Sequence, residues 1–268
     1  MSQTANFLLE QLRKPEAYPL FVTGAGISLA SGIPTFRGVD PGAVWENEVL
    51  EKGTNAFFQK DPVRSWQFYL ARFDQSRHAE PNPAHHAITV IEQKVVQAGG
   101  SCLTVTQNVD GLHIKAGTKN VIEVHGAARK MRCARQGCEH GAPEGFLEWD
   151  DRLFNAFRAN PIFANIPRCS VCNKPFRAHV LWFDEGYTGH EDYRINDMFD
   201  AFDTGKVGPV VFVGTSFAVS ATSMVIQQAY SMGIPMFTVD PNGTTPDEDI
   251  LPIAEKAEEF LPRLAEAL

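Results

Sequence analysis

Two pairs of cysteines stand out by spacing: Cys133 and Cys138 with four residues between them, and Cys169 and Cys172 with two. Thirty residues separate the pairs. Closely spaced thiolates on two turns can close a tetrahedral zinc site, and an all-sulfur set leaves no open coordination position, so its role is structural. Pro167 and Pro175 flank the second pair, and Gly137 loosens the first. On spacing alone His140 is a rival ligand. The fifth cysteine, Cys102, opens an apolar run and reads as a small core residue.

Polar chemistry gathers elsewhere. The stretch TQNVDGLH, Thr106 to His113, sets Gln107, Asn108 and Asp110 just beyond an apolar run. One such residue would merely cap a helix, but three together suit a hydroxyl-rich or amide-bearing ligand. His125 ends the next run, and a histidine can take a proton near neutral pH, which makes it the natural base for a sugar hydroxyl. His85, His86 and His113 read as structural. A glycine loop, GAGISLASGIPTFRG, spans Gly24 to Gly38 directly after LFVT. Its glycines let backbone amides approach a phosphate. A hydride-transfer site is disfavoured, because Leu29 stands where the dehydrogenase fingerprint has its third glycine and no acid follows at the expected distance. Phe36 and Arg37 lie in a proline-marked stretch able to fold over a bound nucleotide. Finally, SWQFYLARF places Tyr69 and Arg72 three apart on one helix face, a permanent cation among aromatic residues.

The elements that must position these residues are legible as alternating runs. Strands are predicted in 19–26, 102–110, 120–126, 179–185, 209–216 and 234–242, and helices in 83–97, 191–202 and 221–232. The carboxy-terminal stretch also reads as helix, with Pro262 as a kink or break. Near-continuous apolar strands alternating with helices indicate a doubly wound parallel sheet, with ligands outside the carboxyl ends of its strands. Those ends carry Gly24, Gly26, Asn108, Asp110, His125, Gly214, Ser216 and Asp240. Two stretches, about 38–82 and 129–177, interrupt the pattern. The 268 residues carry a net charge of −8 with 44% apolar content. That balance argues against a general nucleic-acid surface. No apolar run reaches the roughly 20 residues that span a bilayer, and the amino terminus lacks the pattern of a secretory signal. A cytoplasmic, monomeric catalytic core without an appended targeting domain is the expectation.

These residues in this order resemble the sirtuins, NAD-dependent protein-lysine deacylases. The resemblance rests on Gly24-Ala25-Gly26-Ile27-Ser28, Gly32 to Gly38, Thr106 to His113, His125-Gly126, the four cysteines and Gly214-Thr215-Ser216. It implies an α/β fold: a Rossmann-like doubly wound parallel sheet (1–38, 83–128 and 178–268) with a smaller domain made of a helical module (39–82) and a zinc-binding module (129–177). It also implies NAD across the strand ends, contacted by Gly24, Ala25, Gly26, Ser28, Phe36, Arg37, Thr215, Ser216 and Gly214. Gln107 and Asn108 would hold the nicotinamide ribose, Asp110 the carboxamide, and Asp240 the adenosine ribose. His125 would act as base, with Asn108 and Asp110 beside it. The segment Val180, Trp182, Phe183, Asp184 and Glu185 would pair with the backbone of an acylated protein substrate, and one structural zinc would sit on the cysteines. The products implied are free lysine, nicotinamide and O-acyl-ADP-ribose.

Within that family, the Tyr-x-x-Arg of FYLAR resembles the subgroup that removes succinyl and malonyl groups, so Tyr69 and Arg72 would line the acyl pocket, with acetyl-lysine also accepted. Several positions depart from the common pattern. Asp184 replaces a glycine, which suggests a preference for basic sequence around the target lysine. Ala178 replaces a proline, Asp240 an asparagine, and FAVSATS lacks a proline. Two rival readings are an NAD-consuming ADP-ribosyltransferase or NAD hydrolase, and a non-enzymatic NAD-responsive binding module.

Overall fold

The computed structural model describes residues 1–35 and 50–268. Nine strands occur among them: β1 (Leu20–Thr23), β2 (Leu103–Thr106), β3 (Val121–Glu123), β4 (Gly126–Cys133), β5 (Leu147–Glu148), β6 (Phe176–Val180), β7 (Val210–Val213), β8 (Met236–Val239) and β9 (Ile250–Ile253). Six of them form a sheet in the order β3-β2-β1-β7-β8-β9, with every neighbouring pair parallel. The other three form an antiparallel sheet in the order β5-β4-β6.

Strand alternation explains why the large sheet is covered twice. Phe21, Val211, Val213, Phe237 and Val239 face a core that includes Leu8, Ile88, Ile91, Phe260, Leu261 and Leu264. Leu20, Val22, Leu103, Val105 and Phe212 face the other way, toward Met198, Phe202, Val225 and Ala229. Burying each such side chain stabilises the fold by about 1.5–3 kcal/mol, so neither face can be left to water. The order of the strands reverses between β1 and β7, where connections leave in opposite directions and a crevice opens at the carboxyl ends.

The helix Pro83–Gln97 starts where its sequence dictates. Asn82 accepts the Ala84 N–H, Pro83 occupies the first turn, and the His85 ring accepts the Asn82 N–H to complete a capping box. The helix Ala257–Ala267 runs on through Pro262 without a break. Phe260, Leu261 and Leu264 are fully buried, and that packing outweighs the one backbone hydrogen bond proline forfeits.

A second core holds the rest together. The helix Pro62–His78 supplies Trp66, Phe68, Tyr69, Leu70 and Phe73 to a cluster shared with Met131, Phe176, Ala178 and Val180 of the small sheet. The two interruptions of the α/β pattern therefore pack against each other. The segment HVLWFDE, expected as a sheet strand throughout, is strand only to Val180 and is antiparallel to β4. No helix among the described residues is long and apolar enough to cross a membrane.

Behind the large sheet's edge, His85 and His113 are buried with their rings 4.9 Å apart. The structural role expected of them holds: His85 caps a helix and His113 meets the Thr23 hydroxyl at 2.9 Å. Burial pulls the His85 pKa down to about 4 and that of His113 well below its ordinary 6.5. Between pH 6.5 and 4 the unfolded chain therefore binds protons at these positions that the folded chain does not, and stability rises with pH. His85→Gln keeps an acceptor at this capping position and removes one titrating group. Denaturant unfolding from pH 5.0 to 6.5 should show its pH slope reduced by up to about 1.4 kcal/mol per pH unit.

Candidate active site

The crevice between β1 and β7 begins with backbone against backbone. The Gly24 N–H donates to the Val213 carbonyl at 3.0 Å, and the Gly26 N–H to the Gly214 carbonyl at 2.8 Å. A Cβ on Gly26 would stand 2.8 Å from the Gly214 Cα, and one on Gly214, at φ +57°, would stand 2.4 Å from the Ile27 nitrogen. No side chain fits at either position. Ala25 opens a short helical turn, Ala25–Ser31, and Ser28 is buried within it.

The residues after β2 turn inward onto this loop. Asn108 Nδ2 donates to the Gly24 carbonyl at 3.0 Å and to Ser28 Oγ at 3.1 Å. Ser28 Oγ in turn donates to Asp110 Oδ2 at 2.7 Å, and Asp110 Oδ1 accepts the Leu112 N–H at 2.9 Å. Burial raises the Asp110 pKa, opposed by the two donors it accepts from. Gln107 Nε2 donates to Thr215 Oγ1 at 3.2 Å, spanning the crevice between the loops after β2 and β7. Ser216, one residue on, is exposed.

His125 lies in the two-residue link between β3 of the large sheet and β4 of the small one. Its Nδ1 is 2.9 Å from the Gln107 carbonyl and its Nε2 is 3.1 Å from the Tyr187 hydroxyl. A carbonyl can only accept, so Nδ1 carries the proton and Nε2 presents its lone pair. Burial lowers the His125 pKa to about 4, partly countered by the Gln107 carbonyl. The ring is therefore neutral, and a proton acceptor, at physiological pH. Gly126 follows at φ +79°, where a Cβ would meet the His179 carbonyl at 2.2 Å; the His-Gly pair is enforced by this approach.

Hydrogen bonds thus join these residues in two sets, Asn108, Ser28 and Asp110 in one and Gln107, Thr215 and His125 in the other, adjacent through the Gln107–Asn108 peptide. Asp240 stands at the end of β8, accepting the Asn242 N–H in its own turn. Phe36 and Arg37 lie outside the described residues. Tyr187 was not singled out from the sequence; it contacts His125 across 62 residues, and no local pattern announces such a contact.

The segment after β6 differs from expectation in where its side chains go. Val180 is buried, and Trp182 is buried with the Arg177 guanidinium 3.1 Å from its ring centroid. Glu185 accepts from Arg177 and Arg132 and from the Trp182 N–H. Burial opposes its ionisation, yet its arginine partners hold its pKa below the usual range. Asp184, expected to favour basic sequence around a target lysine, spends both oxygens on the N–H groups of Asn55 and Ala56, at 2.7 and 3.0 Å. It caps the helix Asn55–Lys60. Phe183, at 54%, and Asp184 are the exposed side chains of this segment.

Tyr69 is buried, and desolvation raises its pKa, opposed by the Arg177 and Arg72 guanidinium groups and by a contact with Trp182. Arg72 is half-buried, with its guanidinium 3.6 Å from the Phe68 ring centroid and a hydrogen bond to the Phe68 carbonyl.

The four cysteine sulfurs lie within 4.8 Å of one another, with Cys133 and Cys172 at 3.4 Å and Cys138 and Cys169 at 3.6 Å. Zinc–sulfur bonds of about 2.3 Å in a tetrahedron put sulfurs ~3.8 Å apart, so these residues fit a zinc ion. His140 offers its carbonyl to the Cys133 N–H, and its ring is not part of the cluster. Cys102 is a buried core residue.

Residues 24–221 match the model of the Sir2 family. The chain belongs to that family. It is 36% identical over 240 residues to an NAD-dependent protein deacylase of Thermus thermophilus, covering 88% of this chain and 85% of the relative. It is also 36% identical over 228 residues to the mitochondrial NAD-dependent protein deacylase sirtuin-5 of Danio rerio, covering 80% and 71%. Among solved structures it resembles a Sir2 homologue bound to ADP-ribose, with a TM-score of 0.79, 27% identity, and coverage of 100% and 96%. A Sir2 complex with p53 peptide and NAD+ matches with a TM-score of 0.76, 26% identity, and coverage of 99% and 98%. The Sir2 fold thus carries both the parallel sheet and the cysteine cluster. Purified protein is expected to hold one zinc per chain by elemental analysis. Cys172→Ser should lose the metal and lower Tm by on the order of 10 °C, because binding to a structural site is folding free energy.

Proposed function

We propose that this chain is an NAD-dependent protein-lysine deacylase that removes acetyl and succinyl or malonyl groups, giving nicotinamide and O-acyl-ADP-ribose. The observation that carries this reading is His125: a neutral imidazole at the ligand edge of a Rossmann-ordered sheet, with its tautomer fixed by Gln107. Bound NAD supplies a sugar carbon joined to a cationic nicotinamide leaving group, the bond whose cleavage admits the acyl oxygen of the modified lysine.

The chain's own residues divide the remaining work. Gly24, Ala25, Gly26, Gly214, Thr215 and Ser216 line the crevice on the side of the phosphates, where glycine lets backbone amides come close. Gln107 and Asn108 hold the nicotinamide ribose and Asp110 the carboxamide. Their mutual hydrogen bonds set these side chains before the ligand arrives, so little reorganisation is left for the reaction. His125 Nε2 takes the ribose hydroxyl proton. The segment Val180 to Glu185 borders the peptide. Asp184 and Glu185 shape it through the helix Asn55–Lys60 and the arginines rather than by touching substrate.

The acyl preference rests on Tyr69 and Arg72. Both sit on the helix Pro62–His78, and Arg72 is near enough to Tyr69 to influence its ionisation. A planar guanidinium held against aromatic rings suits a carboxylate at the end of a succinyl or malonyl chain.

His125→Ala should lower deacylation by about 10²–10⁴-fold with zinc and Tm retained, read as nicotinamide release on acetyl- and succinyl-lysine peptides. ADP-ribose released without any acylated peptide would point instead to NAD hydrolysis. Arg72→Met should cut kcat/KM on succinyl- and malonyl-lysine by on the order of 10²-fold, the scale of a lost charge-assisted pair. Acetyl-lysine turnover should stay within a few fold. Equal loss on all three peptides would assign Arg72 to the fold.

A further inference from the structure

Tyr187 meets His125 on the one nitrogen that the proposed chemistry needs. Its hydroxyl is 3.1 Å from Nε2, and the two rings stack at 5.7 Å with planes 25° apart. Because Nδ1–H is given to the Gln107 carbonyl, Nε2 can only accept, so the phenol donates. The same hydroxyl accepts the Ala221 N–H at 3.3 Å, at the start of the helix Ser220–Ser231. Burial raises the Tyr187 pKa, so the phenol keeps its proton and remains a donor. One oxygen thus ties together the segment after β6, the link between the two sheets and the helix after β7.

We propose that Tyr187 is a positioning residue that stands in for the ribose hydroxyl. In the ligand-free enzyme its phenol holds the hydrogen-bonding position on His125 Nε2, and NAD displaces it. The inference rests on His125 being the base for a ribose hydroxyl. The two donors, phenol and sugar hydroxyl, are chemically alike, and Nε2 has a single lone pair in the ring plane, so one excludes the other. Tyr187 to Gly189 is a single short helical turn, with Gly186 just before it, and a Cβ at either glycine would meet nothing within 4 Å. While the phenol is in place, the imidazole stays in the required tautomer and orientation. When it leaves, the base is handed over already aligned.

Tyr187→Phe keeps the ring and removes only the donor, so it tests the exchange without disturbing the stack. By calorimetry, NAD and ADP-ribose should each bind the variant about fivefold more tightly than wild type, the counterpart of ~1 kcal/mol for one neutral hydrogen bond. KM for NAD should fall accordingly while kcat on an acetyl-lysine peptide falls less than threefold. In ligand-free protein the ¹⁵N resonance of His125 Nε2 should move in the variant while that of Nδ1 stays. Unchanged or weaker binding, with wild type still binding and turning over NAD, would overturn the stand-in and leave the deacylase reading intact. Wild type that binds neither NAD nor ADP-ribose would overturn the deacylase reading itself, whereas the Nε2 resonance would still report whether the Tyr187 contact exists.

Discussion

The architecture turns on the contact between the loop after β1 and the loop after β7. Two peptide hydrogen bonds, from Gly24 to Val213 and from Gly26 to Gly214, bring these backbones together where the strand order reverses. With no Cβ tolerated at Gly26 or Gly214, the loops close to a separation that no other residue pair permits. That separation lets Gln107 reach across to Thr215, while Asn108 holds the near side through the Gly24 carbonyl. The Gln107–Thr215 bridge over the strand ends depends on this close approach of the two loops.

From there each bond constrains the next. Ser28 is both acceptor and donor, so Asn108 and Asp110 are fixed relative to one another through a single hydroxyl. Gln107 uses its side chain on Thr215 and its carbonyl on His125, so the orientation of the imidazole is coupled to the far side of the crevice. Behind them Thr23, Thr106 and His113 form a second, buried row. Half-satisfied networks in a low-dielectric interior are costly. The density of mutual contacts here is what permits so many polar groups at one sheet edge.

Much of this was readable from the chain. β1, β2, β7 and β8 are short runs of apolar residues and threonine with no charge to contradict them, and Asn82-Pro83 announces its helix to the residue. The four cysteines meet as their spacing implied. Other features were hidden for physical reasons. β4, with the sequence GAARKMRC, is masked by its charges, two of whose partners are distant: Lys130 pairs with Asp192, 62 residues on, and Arg132 with Glu185, 53 residues on. β9 contains Pro252, which a central strand would reject but this edge strand tolerates. The contact of Asp184 with the Asn55 N–H has no local signal, because the two lie 129 residues apart. Tyr187 was invisible for the same reason.

The charged pairs around β4 bear directly on the base. His125 occupies the link between the large sheet and the small one, so any rotation of one sheet against the other would swing the imidazole off the strand ends. One pair crosses that link, and the others tie the small sheet's strands to the segment after β6. Glu123, in β3, takes two hydrogen bonds of 2.6 Å from Arg129 in β4. Asp192 pairs with Lys130 from β4 and accepts a hydrogen bond from the neutral His179 ring of β6, while Glu185 gathers Arg132 and Arg177 from the same two strands. Buried pairs of this kind often contribute little net stability, because desolvating the charges offsets their attraction. What they contribute is direction: sliding the small sheet would pull Arg129 away from the buried Glu123 carboxylate, which disfavours other placements. Apolar packing alone would hold the two sheets together with more freedom to slide. The charges make the angle between them, and with it the aim of His125, a property of the fold rather than of the bound substrate.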